Sequence, residues 1–311
     1  GHRISRLRLV RGASVAETTL PFRGLGLSRR VLDHALLEHA ARCGADVQHG
    51  HEARIVKVKP AVEVQADRFG QWQPTTLLLA TGKHDVRALR RQPAKIPEDL
   101  IGFKTYFKLD RAQTRALSES IEIIVFSHGY AGLQLVEGGR ANLCLLTDRS
   151  QYQQSGSTWA GLLRDLMRDS VHLRQRLQHA TSLLDRPLSI YRVPYGFVHS
   201  PLPDDPQNVY RLGDQAAVIS SFSGDGMAIA LHSAALAVKL HMTGRSARDY
   251  HERIRADVCR QVARAEALYR FGRSTSGQSM LIPMARAWPR GVRLAAAFTR
   301  VSARAITNAL G

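Results

Sequence analysis

Two Gly-Asp pairs stand close together in the stretch LGDQAAVISSFSGDGMAIALHSAALAV, Leu212 to Val238. The first, Gly213-Asp214, closes the short apolar run Val209-Tyr210-Arg211-Leu212. The second, Gly224-Asp225-Gly226, opens a long run of small apolar residues. A strand ending in Gly-Asp puts a carboxylate at the carboxyl end of a sheet, where open α/β sheets bind ligands. Asp214 can there accept hydrogen bonds from vicinal hydroxyls, and its glycine lets a ligand approach the backbone. A helix starting at Gly226 offers free N–H groups and the positive end of its dipole to an anionic or electron-rich group. The chemistry would be a hydroxyl clamp beside an anion-stabilising helix start. An ordinary turn before a helix packed through small residues is the plain alternative, and the residues alone leave both open.

Other chemistries find less support. The chain has no GxSxG nucleophile elbow and no HExxH. Gly82-Lys83 departs from a P-loop, because Leu77 and His84 occupy its first and last positions. Gly24 to Arg29, GLGLSR, starts like a dinucleotide fingerprint, but Arg29 stands where the third glycine should pack and Pro21-Phe22 precedes it. His172 and His179 lack a third ligand, so no metal site is expected. Cys43, Cys144 and Cys259 are far apart and outside any CxxC, which argues for a reducing compartment without disulfides.

The elements that must position these residues are readable from periodicity. Residues 1–27 read as strands and turns. Ser28 is placed to cap a helix carrying Val31, Leu32, Ala35, Leu36 and Ala40, which Gly44 stops. Short strands follow at 45–47, 55–59 and 62–64. Leu77-Leu78-Leu79, stopped by Ala80-Thr81-Gly82, reads as a parallel strand buried on both faces. Strands over 103–107, 121–126, 133–136 and 141–146, with Gly138-Gly139 as a hairpin turn, form an antiparallel sheet. One helix from Ser157 buries Trp159, Leu162, Leu163, Leu166, Leu173 and Leu177. Strands return at 188–193 and 208–212. Ser246 with Asp249 caps a long helix whose stripe is Tyr250, Ile254, Val258, Val262, Ala265 and Tyr269. A final helix from about 288 carries Leu294, Phe298, Val301 and Ala305 among Arg293, Arg300 and Arg304.

Length and composition fit a globular protein: 311 residues, 44% of them hydrophobic. No apolar run is long enough to cross a membrane, and the N-terminus has no secretory core. The net charge of +18 comes from arginines spread along the chain. It reads as a solvated basic surface, with an anionic cofactor, a membrane surface or an acidic partner as alternatives. Nucleic acid is not expected, since no recognition motif accompanies the charge. A cytoplasmic protein is expected, with peripheral membrane contact as the alternative.

LGDQAAVISSFSGDGMAIALHSAALA resembles the Gly-Asp motif of FAD-dependent oxidoreductases of the aromatic-hydroxylase and geranylgeranyl-reductase type. The resemblance implies FAD as cofactor, Asp214 on its ribityl hydroxyls, and Gly224, Gly226 and Met227 along the pyrimidine edge of a reduced, anionic flavin. LSRRVLDHALLEHAARCGADV resembles that family's arginine-bearing helix, which implies that Arg29 contacts FAD. LLLATGKHDVR resembles its strand-Ala-Thr-Gly segment, which implies contact through Thr81 and Gly82. Thr81 stands where the aromatic hydroxylases carry an Asp also used with NADPH, so NAD(P)H is a candidate reductant that the motif does not secure. HEARIVKV resembles the strand that meets the adenine, with Ile55 at the contact. SHGYAGLQLVEGGRANLCLL resembles the substrate-domain hairpin of the reductase branch. The resemblance covers roughly residues 25–245.

The resemblance implies an α/β fold: an FAD/NAD(P)-binding Rossmann-like domain lacking its first βαβ unit, with an antiparallel-sheet substrate domain. The expected segments are 1–98 (partial FAD-binding domain), 99–207 (substrate domain), 208–245 (return to the FAD-binding domain) and 246–311 (C-terminal helices). The expected function is an FAD-dependent oxidoreductase, monooxygenase or reductase, acting on a hydrophobic or aromatic organic substrate. No residue is named as catalytic. The rivals are a non-catalytic remnant of a flavoprotein and a basic peripheral membrane protein. With no initiator Met, an upstream segment encoding strand-GxGxxG-helix and a closing acidic residue is expected. Sequencing the coding region before Gly1 checks this, and an in-frame stop there without such a segment would refute it.

Overall fold

A computed structural model describes residues 1–91 and 99–310. Along the chain the strands are β1 (His2–Arg11), β2 (Ser14–Gly26), β3 (Ala53–Lys57), β4 (Glu63–Ala66), β5 (Gly70–Trp72), β6 (Leu77–Leu79), β7 (Leu100–Lys108), β8 (Glu119–Phe126), β9 (Gly129–Leu135), β10 (Ala141–Asp148), β11 (Thr181–Ser182), β12 (Leu188–Tyr191) and β13 (Val209–Arg211). The helices are α1 (Arg29–Arg42), α2 (Arg111–Leu117), α3 (Arg149–Gln154), α4 (Trp159–Asp169), α5 (Val171–Leu177), α6 (Gly226–Met242), α7 (Ala247–Arg273), α8 (Thr275–Ala287), α9 (Pro289–Phe298) and α10 (Ala303–Leu310). The described residues form two units. One holds residues 1–45, 99–193 and 268–297, and the other 46–91, 194–267 and 298–310. The sequence-derived boundary at 98/99 meets residues 92–98, outside the described residues, as does the terminal Gly311.

The first unit is built on an eight-stranded sheet. Its order is β11-β7-β10-β9-β8-β1-β2, with β12 on the same edge of β7 as β11. The pairs are antiparallel apart from β1 with β8, so the sheet is mixed. This differs from the expected grouping. β1 and β2 join the large sheet because β8 offers β1 a full-length partner, Ile4 to Val10 against Glu119 to Ile124. Successive side chains alternate across a sheet. Phe103, Phe107, Ala131, Leu133, Leu135, Leu143 and Leu145 thereby share a core with Leu162 and Leu166 of α4 and Leu173 and Leu177 of α5. The expected single helix from Ser157 is broken at Ser170, whose hydroxyl accepts the Leu173 amide at 3.2 Å and caps α5.

Gly24-Leu25-Gly26 forms the end of β2. A Cβ on Gly26 would lie 2.0 Å from the Leu135 carbonyl oxygen, so close backbone approach accounts for that glycine. Ser28 caps α1 as expected, accepting the Val31 amide at 3.3 Å. Residues 45–47, expected as a strand, are irregular. Under the same sheet, Glu122 is fully buried and accepts hydrogen bonds from His172 Nε2 at 2.8 Å, Arg176 Nη2 at 2.7 Å and Arg8 Nη1 at 3.0 Å.

The second unit contains two small sheets, β3-β4-β5 and the parallel pair β6-β13. Val62, Val64, Leu79, Leu89 and Val209 form the core beneath that pair. Leu78 is 47% exposed, which corrects the expectation of burial on both faces: the pair is too narrow to be covered on each side. α7 starts with the expected capping box, Ser246 Oγ to the Asp249 amide at 3.2 Å and Asp249 Oδ2 to the Ser246 amide at 3.0 Å. Tyr250, Ile254, Val258, Val262 and Ala265 pack against Ile229, Leu236 and Ala237 of α6. The expected final helix is two, α9 and α10. Val301 and Ala305 are buried, while Leu294 and Phe298 are exposed.

Glu122 generates a stability prediction. Burial, the largest effect, would raise its pKa, but hydrogen bonds and charge from His172 and Arg176 outweigh it and hold the carboxyl at about 2. That contribution is complete above the ordinary carboxylate pKa and is lost as pH falls through about 2. Glu122→Gln leaves two arginines facing a neutral amide and is expected to cost about 3–5 kcal/mol in urea unfolding at neutral pH. The difference from wild type should shrink as pH falls from 4.5 toward 2.

Candidate functional site

β6 and β13 run side by side and end together, Leu77 opposite Val209 and Leu79 opposite Arg211. The pairing continues one residue further, the Leu212 amide donating to the Leu79 carbonyl at 2.9 Å. Two loops therefore leave the same carboxyl edge. One carries Thr81 and Gly82, and the other carries Gly213 and Asp214. In parallel α/β sheets this edge is where ligands sit.

Two side chains clamp the loops together. Gln215 is fully buried, and its Nε2 donates to the carbonyls of Gly82 and His84, each at 2.8 Å. Arg91, 6% exposed, donates from Nη1 to the Asp214 carbonyl at 3.0 Å, from Nε to Asp85 at 2.6 Å, and from Nη2 to the Lys83 carbonyl. Thr81 Oγ1 donates to the His84 carbonyl at 3.0 Å, tightening the first loop. Gly213 has a φ of +54° and donates its amide to Ser233 Oγ of α6 at 2.9 Å. A Cβ at Gly213 would stand 3.3 Å from the Ala230 Cβ, so α6 crosses close over the turn.

The second Gly-Asp pair divides its labour. Gly224 adopts φ +69°, which lets the chain reverse into α6. Asp225 occupies the N-cap position but makes no capping hydrogen bond. Its buried carboxylate instead accepts from Arg300 Nη1 at 2.8 Å, the Val301 amide at 2.9 Å and Gln261 Nε2 at 3.3 Å. Burial raises the Asp225 pKa, opposed by Arg300, the Val301 amide and Gln261. Turned this way, it leaves the first amides of α6 without a side-chain cap. Ideal Cβ atoms at Gly82, Gly224 and Gly226 meet nothing within 4 Å, so open space lies at all three. Ser220, on the buried stretch leading to α6, has an Oγ with no hydrogen-bond partner among the described residues. These features suit a ligand that needs close backbone approach, amide donors and a hydroxyl partner.

The structure thus brings Thr81, Gly82 and Asp214 to one clamped edge and packs α6, with Gly226 and Met227 at its start, over the same turn. Ile55 lies on β3 opposite Val64, partly buried against the apolar cluster with Leu79 and Val209. Arg29 belongs to the other unit, where it is exposed and pairs with Asp33 at 2.8 Å. Gln215, Arg91 and Ser220 were absent from the sequence reading. Arg91 and Gln215 act through carbonyls distant in sequence, and no local pattern announces that. Lys83 also stands here, its Nζ 5.4 Å from the centroid of the Tyr195 ring. Among the described residues no group of three or more His, Cys, Asp or Glu is arranged to hold a metal ion.

No family model matches the chain, and no curated protein does. Solved structures do. The halogenase PltM, crystallised with ethyl mercury and mercury, superposes with a TM-score of 0.73 at 14% identity, over 96% of this chain and 65% of its own. The flavin-dependent brominase Bmp2 gives 0.70 at 13%, over 99% of this chain and 80% of its own. A geranylgeranyl bacteriochlorophyll reductase-like protein from Thermoplasma acidophilum gives 0.67 at 15%, over 99% and 79%. The chain has the fold of the FAD-dependent oxidoreductases. It spans a little under two thirds of PltM.

The clamp is testable apart from any ligand. Arg91→Met removes one charge-assisted and two carbonyl hydrogen bonds from a buried position. It is expected to cost about 2–4 kcal/mol. Hydrogen exchange should rise at residues 80–85 and 213–215 while β6 and β13 keep their protection; uniform exchange across the unit would show that Arg91 does not act locally.

Proposed function

We propose that this chain belongs to an FAD-dependent oxidoreductase, monooxygenase or reductase in type, acting on a hydrophobic or aromatic organic substrate. One observation carries the reading. Two parallel strands end in Ala-Thr-Gly and Gly-Asp, clamped together, with three glycines facing open space and an uncapped helix start. The shared fold with flavin-dependent halogenases and a reductase-like protein supports it. One PltM structure holds FAD together with phloroglucinol.

In this reading Asp214 binds the ribityl hydroxyls, and the backbone at Gly224, Gly226 and Met227 meets the electron-rich pyrimidine edge. Thr81 and Gly82 line the approach, and Ile55 stands by the adenine. FAD supplies the redox chemistry, while the protein binds and orients it. The amides at the start of α6 favour electron density there through the helix dipole. NAD(P)H is the proposed reductant class.

Asp214→Ala tests the proposal. A carboxylate accepting hydroxyl hydrogen bonds contributes roughly 1.5–3 kcal/mol per bond. FAD affinity, followed by quenching of flavin fluorescence in the protein as its coding sequence specifies it, should fall about ten- to hundredfold. Unchanged affinity in a variant with native circular dichroism removes the assignment.

A further inference from the structure

α8 has two unlike faces. Ile282 and Ala285, 4% and 5% exposed, pack on Ala16, Leu9 and Val292. Arg286 Nε and Nη2 fasten the helix to the edge of the sheet through the Val15 carbonyl at 3.1 and 2.9 Å. On the other side, Met280, Pro283, Met284, Ala287 and Trp288 follow at spacings of three, one, three and one, which is one face of a helix. All five are exposed, Met280 by 51%, Met284 by 46% and Trp288 by 59%. Leu294 of α9 adds a further side chain at 47%. Trp288 is pinned against Gly291, where a Cβ would fall 2.2 Å from a ring carbon. The ring thus lies against Gly291 while most of its surface is open.

Along the chain, the charge flanking this row has one sign. From Ala267 to Gly311 the sequence contains no Asp or Glu. Arg290 and Arg293 are exposed and make no ion pair among the described residues. A row of Met, Trp and Leu bordered by arginines, with no acidic residue near in sequence, is the composition of a helix that lies in a membrane interface. Tryptophan favours the headgroup level, and arginine favours anionic lipid. A second copy docking on the same face would set each arginine fringe against its equivalent, so charge complementarity selects an acidic surface.

We propose that the outer face of α8, with Trp288 and the start of α9, is a docking surface for an anionic lipid bilayer. The helix lies in the plane of the interface, Met280, Met284 and Trp288 entering the acyl boundary while Arg290 and Arg293 meet headgroup phosphates. Among the described residues no helix is long and apolar enough to cross a membrane, so this surface rests on the bilayer. The proposal does not depend on flavin.

Co-sedimentation of the whole chain with phosphatidylcholine vesicles, with and without phosphatidylserine, tests it. Binding should require phosphatidylserine and weaken with salt. Met284→Glu and the pair Arg290→Glu with Arg293→Glu should each reduce binding roughly tenfold or more. Because these side chains are exposed, thermal unfolding should stay at the wild-type midpoint. Arg30→Glu, an exposed change on α1, should leave binding close to wild type. Equal loss in Arg30→Glu would assign binding to net charge and overturn the proposal. So would wild-type binding by Met284→Glu, or no vesicle binding alongside a dimer that Met284→Glu abolishes.

Discussion

Two parallel strands of three residues cannot by themselves hold two loops in register at one edge. The amide of Gln215 solves this with a single buried group. It sits in the turn after β13 and donates to two carbonyls of the loop after β6. Without it the Gly82 carbonyl would lose its side-chain donor and the His84 carbonyl would keep only Thr81 Oγ1, so the loop would be held less firmly. Arg91 repeats the connection in the other direction, from the first loop to the carbonyl of Asp214. The position of the Asp214 backbone is therefore set by its neighbours' hydrogen bonds.

The same separation of roles governs the start of α6. An aspartate at a helix N-cap usually spends its oxygens on the first amides. Asp225 spends them on Arg300, Val301 and Gln261, anchoring the segment that leads to α10. Desolvating a carboxylate is costly, and three donors offset the cost. The consequence for the helix is an N-terminus whose donors are not consumed by the residue best placed to consume them. Gly224 and Gly226 keep the space in front of it clear.

Much of this arrangement was legible in the residues. The Gly-Asp pair, the helix after Gly226 and the Ser246–Asp249 capping box are local patterns, and local patterns survive folding. The apolar stripe of α7 was legible for the same reason, since its period is that of the helix itself. α8 was not foreseen; Gly277 lies in its first turn with its amide donating to Ser274 Oγ, and Pro283 lies on the open face. The join of β1 to β8 was also hidden, because a parallel pair between segments more than a hundred residues apart leaves no local trace. Leu78 misled for a different reason. An apolar run predicts a strand well, but the number of covered faces depends on how many strands and helices surround it.

The eight-stranded sheet finishes its own borders. On one side the outer rim of β7 is shared between β11 and β12, which return from later in the chain to occupy successive halves of it. On the other side β2 carries Pro21, which has no amide to donate, and its Val15 carbonyl is already taken by Arg286. A proline and an occupied carbonyl interrupt one rim, and two short strands replace a long edge on the other. Interruptions of this kind disfavour growth by strand addition and leave side-chain surfaces as the first unit's readier means of contact.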